Sequence, residues 1–260
     1  AGPYERLVFR IGELKSLVSV FHGLSDYLSG QLRSEFGVPD DRVRTITSGI
    51  DTTLFAPADQ SSARRIAGIP QGRFVVGLCS RLRPEKRLDL AIRAHAVLMD
   101  TVPDALLVIA GGGSEASNLV SLADDLGIRG SVMFLGEVSQ VNQLLPAFDV
   151  YLQTTKGPNL GFSALEALAC AKPVVIAADS EREMAMGQDT LCGAECGAVV
   201  EASPRVLAEA IERIAQDPCL LSRMSLMARE VAVRCYEWGD HVSRMAELYE
   251  SLVHARPACR

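Results

Sequence analysis

Unbroken apolar runs alternate with amphipathic stretches along most of the chain, and this alternation predicts strands separated by helices. Apolar runs of strand length lie at residues 73–80, 105–110, 131–136, 148–153, 173–177 and 198–200. Helical stretches lie at 86–99, 114–126, 141–147, around Glu166, and at 204–217, 220–235 and 240–253. Strands that are apolar on both faces and separated by helices are typical of a parallel sheet covered on both sides. The pattern predicts an α/β fold with a doubly wound parallel sheet, whose ligand lies beyond the carboxyl ends of the strands.

The first seventy residues follow a different pattern. Residues 16–32 indicate a strand that enters a helix, and residues 43–51 indicate another strand and turn. Residues 51–71 are rich in Ala, Pro, Ser and Asp, which is typical of a linker. We therefore predict that residues 1–50 are the remnant of a second domain, that 51–71 link it to the main domain at 72–235, and that 236–260 form a terminal helix.

Composition narrows the class of protein. The 260 residues are 48% hydrophobic and 22% charged, as expected of a folded globular chain. The net charge of -6 argues against nucleic acid as a partner and against a strongly basic membrane-facing surface. The seven cysteines are scattered through apolar runs, which favours reduced thiols and a cytoplasmic location. Cys192 and Cys196 have no second ligand pair, so no zinc site is predicted.

Residues 158–175, PNLGFSALEALACAKPVV, are the most informative segment of the chain. A loop and a helix N-terminus after an apolar strand form a site suited to an anion, where the backbone amides of Gly161 and Phe162 can meet a phosphate. Glu166 follows in an apolar helix, and its carboxylate can accept hydrogen bonds from vicinal sugar hydroxyls. The alternative is that Glu166 only pairs with a nearby Arg or Lys. A charge among Leu and Ala neighbours usually has a partner or a function.

A second group of candidates follows the first strand of the main domain. Arg81 and Lys86 lie at the loop and helix start, where two cations can neutralise a diphosphate. The alternative interpretation is a solvated basic turn, since Arg83 and Arg87 lie beside them. Gly111–Gly113 allow either a simple turn or a close backbone approach to a ligand. They do not form a G-x-G-x-x-G motif at the first helix, which counts against a nicotinamide-dependent oxidoreductase.

Several motifs in order resemble the retaining glycosyltransferases of the family 4 type, which have the two-domain GT-B fold. The pattern G-x-x-S/G-R-x-x-x-x-K is matched by Gly77, Ser80, Arg81 and Lys86, and SGIDTTLFAP at 48–57 is similar to the family's linker signature. The V-x-F-x-G-x-V motif is matched from Val132 to Val138, and LEALACAKPVV at 165–175 matches a third motif. The resemblance covers nearly the whole chain, from about Val18 to Leu252.

The resemblance implies a role for each candidate. Arg81 and Lys86 resemble the pair that binds the donor diphosphate and stabilises the leaving group, so that no metal and no cofactor is expected. Glu166 resembles the ribose-binding glutamate of the E-x7-E motif, and Val138 resembles a residue that contacts the base. Gly161 and Phe162 resemble the backbone site near the phosphates and sugar. The implied reaction transfers a sugar from a nucleoside-diphosphate sugar to an acceptor hydroxyl with retained configuration.

The resemblance also implies partners and a place in the cell. The acceptor would be a saccharide or a lipid-linked molecule, in the synthesis of a cell-surface polysaccharide or glycolipid. The protein would be cytoplasmic, with a site at the inner face of the membrane and peripheral association through the acceptor domain. The terminal helix would pack back on that N-terminal domain, of which residues 1–50 represent only the last part.

Two departures from the family pattern bear on activity. Pro158 stands where the first glutamate of E-x7-E is expected, and Asn159 or Lys156 is the candidate to replace it in donor binding. Ala171 replaces a glycine that is common in the family. Pro158 and the partial acceptor domain expected at residues 1–50 keep an alternative function open, a non-catalytic nucleotide-sugar-binding or interaction module derived from such an enzyme.

Overall fold

The structure, a computed structural model, describes residues 17–157 and 161–255, and Pro158 and Asn159 lie outside the described residues. The chain divides into two compact units, one of residues 1–49 and 236–260 and the other of residues 50–235. No helix in the described ranges combines the length and the apolar character needed to cross a bilayer.

The smaller unit contains two short parallel strands, β1 (Phe21–Gly23) and β2 (Val43–Thr45), and the helix α1 (Asp26–Ser34) between them. Phe36, Val38 and Val43 form its small buried core. The terminal helix of the chain (Trp238–Ala255) belongs to the same unit, where His241 Nδ1 lies 2.7 Å from the carbonyl oxygen of Thr47. Terminal residues and residues 45–49 are therefore in direct contact within this unit.

The larger unit contains six parallel strands: β3 (Phe74–Cys79), β4 (Ala105–Ala110), β5 (Val132–Gly136), β6 (Val150–Gln153), β7 (Val174–Ala178) and β8 (Gly197–Glu201). Their order in the sheet is β5-β4-β3-β6-β7-β8. The chain therefore runs outward in one direction from β3 and in the other from β6, which confirms the predicted doubly wound sheet. The point where the direction reverses lies between β3 and β6, and a ligand site is expected at their carboxyl ends.

Helices cover both faces of this sheet. They are α2 (Gln60–Ala67), α3 (Leu88–Leu98), α4 (Ala116–Asp125), α5 (Val141–Leu144), α6 (Phe162–Ala169), α7 (Glu181–Thr190), α8 (Pro204–Ala215) and α9 (Pro218–Tyr236), and the terminal helix of the smaller unit is α10. The strands bury apolar side chains on both faces, as the unbroken apolar runs predict. Ile92, Leu107 and Leu207 are fully buried in the main core.

The predicted linker at 51–71 contains the helix α2. Asp59 caps this helix by accepting a hydrogen bond from the amide of Ser62 (2.7 Å), and Gly68 ends it in the left-handed conformation (φ 67°). Arg64 of α2 is buried and forms an ion pair with Asp149 (2.7 Å). The polar composition of α2 reflects these capping and pairing roles.

Helix α6 ends in a Schellman motif that places an alanine in the left-handed region. The amide of Lys172 donates to the carbonyl of Ala167 and the amide of Ala171 donates to that of Leu168, both at 2.9 Å. These are the two hydrogen bonds of the motif, and they hold Ala171 at φ 57°. A side chain in this conformation costs about 1 to 2 kcal/mol that a glycine avoids.

The substitution Ala171→Gly is expected to stabilise the larger unit by about 1 kcal/mol, because it removes this strain. Urea unfolding, followed by circular dichroism, measures the effect as a higher midpoint at an unchanged slope. Gly68→Ala is the matched reverse change, since Gly68 occupies the same position after α2 with no atom closer than 4.0 Å to an added Cβ. It should lower the midpoint, and a lower midpoint for Ala171→Gly would contradict the strain assigned to Ala171.

Candidate functional site

A cavity of about 400 Å³ lies at the carboxyl ends of β3, β4 and β5, beside the start of α6. Its walls bring together three of the predicted site residues, Arg81, Val138 and Glu166. The residues that sequence reasoning did not assign to the site are Cys79, Ser80, Ala110, Gly111, Gly112, Glu137, Val141 and Ser163. The site therefore occupies the crevice where the direction of the sheet reverses.

The floor of the cavity is made by backbone that continues the sheet past the strand ends. The amide of Ser80 donates to the carbonyl of Ala110 (2.9 Å), and the amide of Gly111 donates to that of Gly136 (2.7 Å). Gly111 has φ 141°, and an added Cβ would lie 1.8 Å from the carbonyl oxygen of Ser80. Packing against the backbone of Ser80 therefore requires glycine at position 111, and a close backbone approach to a ligand stays a prediction.

Arg81 and Lys86 lie on the loop after β3 and keep their charged groups available. Arg81 is exposed at the cavity wall, whereas the half-buried Lys86 ends a 3₁₀ turn just outside that wall. Neither side chain forms an ion pair or hydrogen bond within the described ranges. A hydrogen bond fixes the backbone of this loop, because Thr154 Oγ1 donates to the carbonyl of Lys86 (2.7 Å). This link joins the segments that follow β3 and β6.

Gly161 and Phe162 form the start of α6. Gly161 has φ 59°, and an added Cβ would lie 2.4 Å from the side-chain nitrogen of Gln153, so the turn depends on glycine. Phe162 is 58% exposed, and its side chain does not line the cavity. The amides of Phe162 and Ser163 have no hydrogen-bond partner among residues 17–157 and 161–255, which leaves two donors at a helix N-terminus.

Glu166 lies one turn further along α6 and faces the cavity. Burial raises the pKa of its carboxyl group. The carboxylate makes no hydrogen bond or ion pair with any residue that the structure describes, so the alternative of a simple Arg or Lys partner is not observed. A half-buried carboxylate without a partner is an acceptor available to a ligand.

Tyr151 connects the strands to α6 beneath the cavity. Its hydroxyl donates to the carbonyl of Cys79 (3.1 Å) and lies 3.3 Å from the amide of the same residue, and it also hydrogen-bonds to Ser163. Burial, with a smaller effect from Glu166, raises the pKa of the Cys79 thiol to about 12. The thiol therefore remains protonated near neutral pH and is a poor candidate for a nucleophile.

The remaining residues considered in the sequence analysis lie away from this cavity or outside the described residues. Asn159 and Pro158 lie outside the described residues, so the donor-binding role of Asn159 and the replacement of the first motif glutamate by Pro158 stay predictions. His95 is buried against Ser131 (3.1 Å), and burial lowers the pKa of its imidazole to about 4. Within the described ranges, no group of three or more His, Cys, Asp or Glu side chains is placed to hold a metal ion.

The chain belongs to the family of glycosyl transferases group 1, whose model matches residues 59–231. It is 32% identical to the D-inositol 3-phosphate glycosyltransferase of Acidothermus cellulolyticus, over 87% of this chain and 52% of that protein. It is 31% identical to a GDP-mannose-dependent alpha-(1-6)-phosphatidylinositol monomannoside mannosyltransferase of Mycolicibacterium smegmatis, over 96% of this chain and 66% of that protein. The chain thus spans between half and two thirds of these relatives.

The fold is shared with solved glycosyltransferase structures. Alr3699/HepE of Anabaena, in complex with UDP, superposes with a TM-score of 0.84 at 24% identity, over 96% of this chain and 68% of that one. A glycosyltransferase of Rickettsia africae superposes with a TM-score of 0.80 at 15% identity, over 94% and 68% of the two chains. The larger unit therefore has the fold of a Rossmann-like domain of the GT-B glycosyltransferases.

Proposed function

We propose that this chain binds the donor of a retaining glycosyltransferase, which transfers a hexosyl group from a nucleoside-diphosphate sugar to an acceptor hydroxyl. The observation that carries the proposal is the set of unpaired groups around one crevice. Within the described ranges, Arg81 at the cavity wall and Lys86 on the same loop supply cations without a partner, the start of α6 supplies two amides without a partner, and Glu166 supplies a carboxylate without one. A nucleoside diphosphate offers the complementary groups, since it combines anionic phosphates with a vicinal diol.

In this proposal the diphosphate lies against the loop after β3 and the start of α6. The bond between the sugar C1 and the diphosphate oxygen breaks while the acceptor oxygen bonds to C1, and the proton of the acceptor hydroxyl passes to the departing diphosphate oxygen. Negative charge grows on the departing diphosphate, and Arg81 with Lys86 stabilises it in the transition state more than in the ground state. These two cations serve the purpose that a metal ion serves in other transferases, so we expect no metal requirement.

The ribose and the base then extend across the cavity towards β5. Glu166 accepts hydrogen bonds from the ribose hydroxyls, and Val138 contacts the base. Asn159 and the backbone at Gly161 and Phe162 complete the donor site next to the sugar. The retained configuration and the hexosyl type of the donor are inferred from the resemblance in sequence.

The acceptor in this proposal is a saccharide or a lipid-linked molecule. One relative is named for an inositol phosphate acceptor and another for a phosphatidylinositol mannoside. We extend the proposal to a cytoplasmic enzyme that works at the inner face of the membrane in the synthesis of a cell-surface polysaccharide or glycolipid.

Substitution of Glu166 tests the ribose contact. Calorimetric titration should show that Glu166→Ala weakens UDP or GDP binding by roughly 10- to 100-fold, because hydrogen bonds to a charged group contribute about 1.5 to 3 kcal/mol. Wild-type protein should bind the 2′-deoxy nucleotide more weakly than the ribonucleotide, and Glu166→Ala should bind the two alike.

Glu137→Gln is the matched control, because Glu137 is another carboxylate of the same cavity wall. This variant should keep the preference for the ribonucleotide. If wild-type protein binds both nucleotides equally, Glu166 is not the ribose ligand. Tight nucleotide binding without release of sugar from any donor would favour the non-catalytic module.

A further inference from the structure

A second cavity, of about 510 Å³, lies at the opposite end of the same sheet. Phe148 and Asp149 precede β6 and form one wall, while Ala171 and Lys172 precede β7 and form another. Residues of α9, with Leu221 and Leu226 among them, close the third side. All of these residues belong to the larger unit, so this cavity is complete within one compact body and is separate from the donor site.

The charged side chains around this second cavity carry an excess of positive charge. The Asp149 carboxylate is already occupied, since it accepts from Arg64, from Gln60 Nε2 (3.0 Å) and from the amide of Val75 (2.6 Å). The other charged side chains that line the cavity are Lys172 and Arg229, so two positive charges lie beside a carboxylate that already pairs with Arg64. The excess favours an anion in the cavity.

Arg229 does not offer its guanidinium to a ligand, because the backbone already uses it. It donates to the carbonyls of Ala169 (2.8 Å), Phe55 (3.0 Å) and Thr52 (3.0 Å). The carbonyl of Ala169 lies at the negative end of α6, and this contact offsets the unfavourable field that the helix end would exert on an anion. Arg229 therefore contributes charge and holds the backbone around the cavity.

Lys172 is the available donor. Its half-buried side chain lines the cavity, and its ammonium forms no ion pair or hydrogen bond within the part of the chain that the structure describes. Burial lowers the pKa of this group, which reflects the cost of leaving the charge without a partner. The two Schellman hydrogen bonds and the strained Ala171 fix the backbone from which the side chain extends.

We propose that this cavity binds a small organic anion, a carboxylate with an apolar body, whose head pairs with Lys172. The apolar body packs against Phe148, Leu221 and Leu226. The cavity volume falls in the range of sites for small molecules, which combine apolar walls with few polar groups. The proposal stands apart from sugar transfer, because none of its residues lines the donor cavity.

Octanoate is a suitable probe, and amide NMR spectra of the full chain report where it binds. We expect millimolar octanoate to shift the amides of Lys172, Leu221 and Leu226, and expect octanol, with the same tail and no charge, to bind about tenfold more weakly. Lys172→Met should weaken octanoate binding about tenfold and leave octanol binding unchanged, as the loss of one charge-assisted contact implies.

Lys156→Met provides a matched control, because Lys156 is an exposed lysine on the loop at the other end of the sheet. It should leave octanoate binding unchanged. The proposal is overturned if octanol binds as tightly as octanoate, if Lys172→Met binds octanoate like wild-type protein, or if UDP displaces octanoate. A failure of UDP to bind at all would count against the proposed function and leave this cavity's test intact.

Discussion

Replacement of Arg81 or Lys86 by alanine is expected to weaken the binding of a nucleoside diphosphate by roughly 10- to 100-fold in each case. Neither cation has a partner in the part of the chain that the structure describes, so removal of either should cost little stability and should mainly weaken ligand binding. The rate of donor turnover should fall by about 100-fold or more, which is a larger loss than the loss of binding. The reason is that the loop then lacks a positive charge to stabilise the departing diphosphate. Titration calorimetry and release of nucleoside diphosphate from the sugar donor measure the two effects.

The comparison of UDP with uridine separates the phosphate contact from the rest of the site. Wild-type protein should bind UDP much more tightly than uridine, and Arg81→Ala should reduce this difference. Glu166→Ala should instead weaken the binding of UDP and uridine to a similar extent. Arg81→Lys keeps the charge and loses the paired donors of the guanidinium group. Its affinity for UDP should therefore lie between those of Arg81→Ala and wild-type protein. Arg83→Ala is the matched control, because Arg83 is exposed on the same loop and does not line the cavity. Unchanged UDP affinity in both alanine variants would reject the diphosphate site.

The second large effect is expected at Asp149, whose replacement by alanine should destabilise the larger unit by about 3 to 5 kcal/mol. The side chains of Arg64 and Asp149 are only 6% and 14% exposed, and the carboxylate also accepts from the amide of Val75. Its removal leaves a buried guanidinium and a buried amide without their acceptor. At this size each kcal/mol lowers Tm by about 2 to 4 °C, so a fall of roughly 10 °C is expected.

Thermal and urea unfolding, each followed by circular dichroism, measure this effect. The exposed pair of Arg205 and Glu209, with side chains 82% and 58% exposed, provides the comparison, and Glu209→Ala should cost less than about 1 kcal/mol. Asp149→Asn keeps the shape and one acceptor and should give an intermediate loss. If Asp149→Ala lowers the free energy of unfolding no more than Glu209→Ala does, the buried pair does not hold α2 against the sheet.

The parts of the fold that sequence reasoning predicted are those in which burial determines the residue type. Strand β3 is apolar at nearly every position because helices cover both of its faces, and its predicted bounds agree with the structure to within one residue at each end. Helix α7 went unpredicted because it has no clear apolar stripe and contains Gly187. An added Cβ at Gly187 would lie 2.6 Å from Val199, so close packing requires glycine there. The Ser180 cap, which accepts from the amide of Glu183, was the available signal.

The site was predicted only as far as contiguous segments allow. Arg81 and Glu166 each stand out within their own motif, and the structure places both on one cavity. Cys79 and Ala110 carry no such local mark, since they join the site only through the order of the strands. That order depends on packing between distant segments, which no single stretch of sequence records. The second cavity was missed for the same reason, because Asp149, Lys172 and Arg229 come from three separate elements.

The floor of the first cavity is made of main chain, which limits how substitutions can change its shape. Any side chain at Gly111 would collide with the backbone of Ser80, so point mutation has little room to reshape the floor. Side chains of the walls, such as Glu137 and Ser163, meet no such constraint. Under the proposed function, a change of sugar nucleotide would therefore arise in the walls, while the floor stays unchanged.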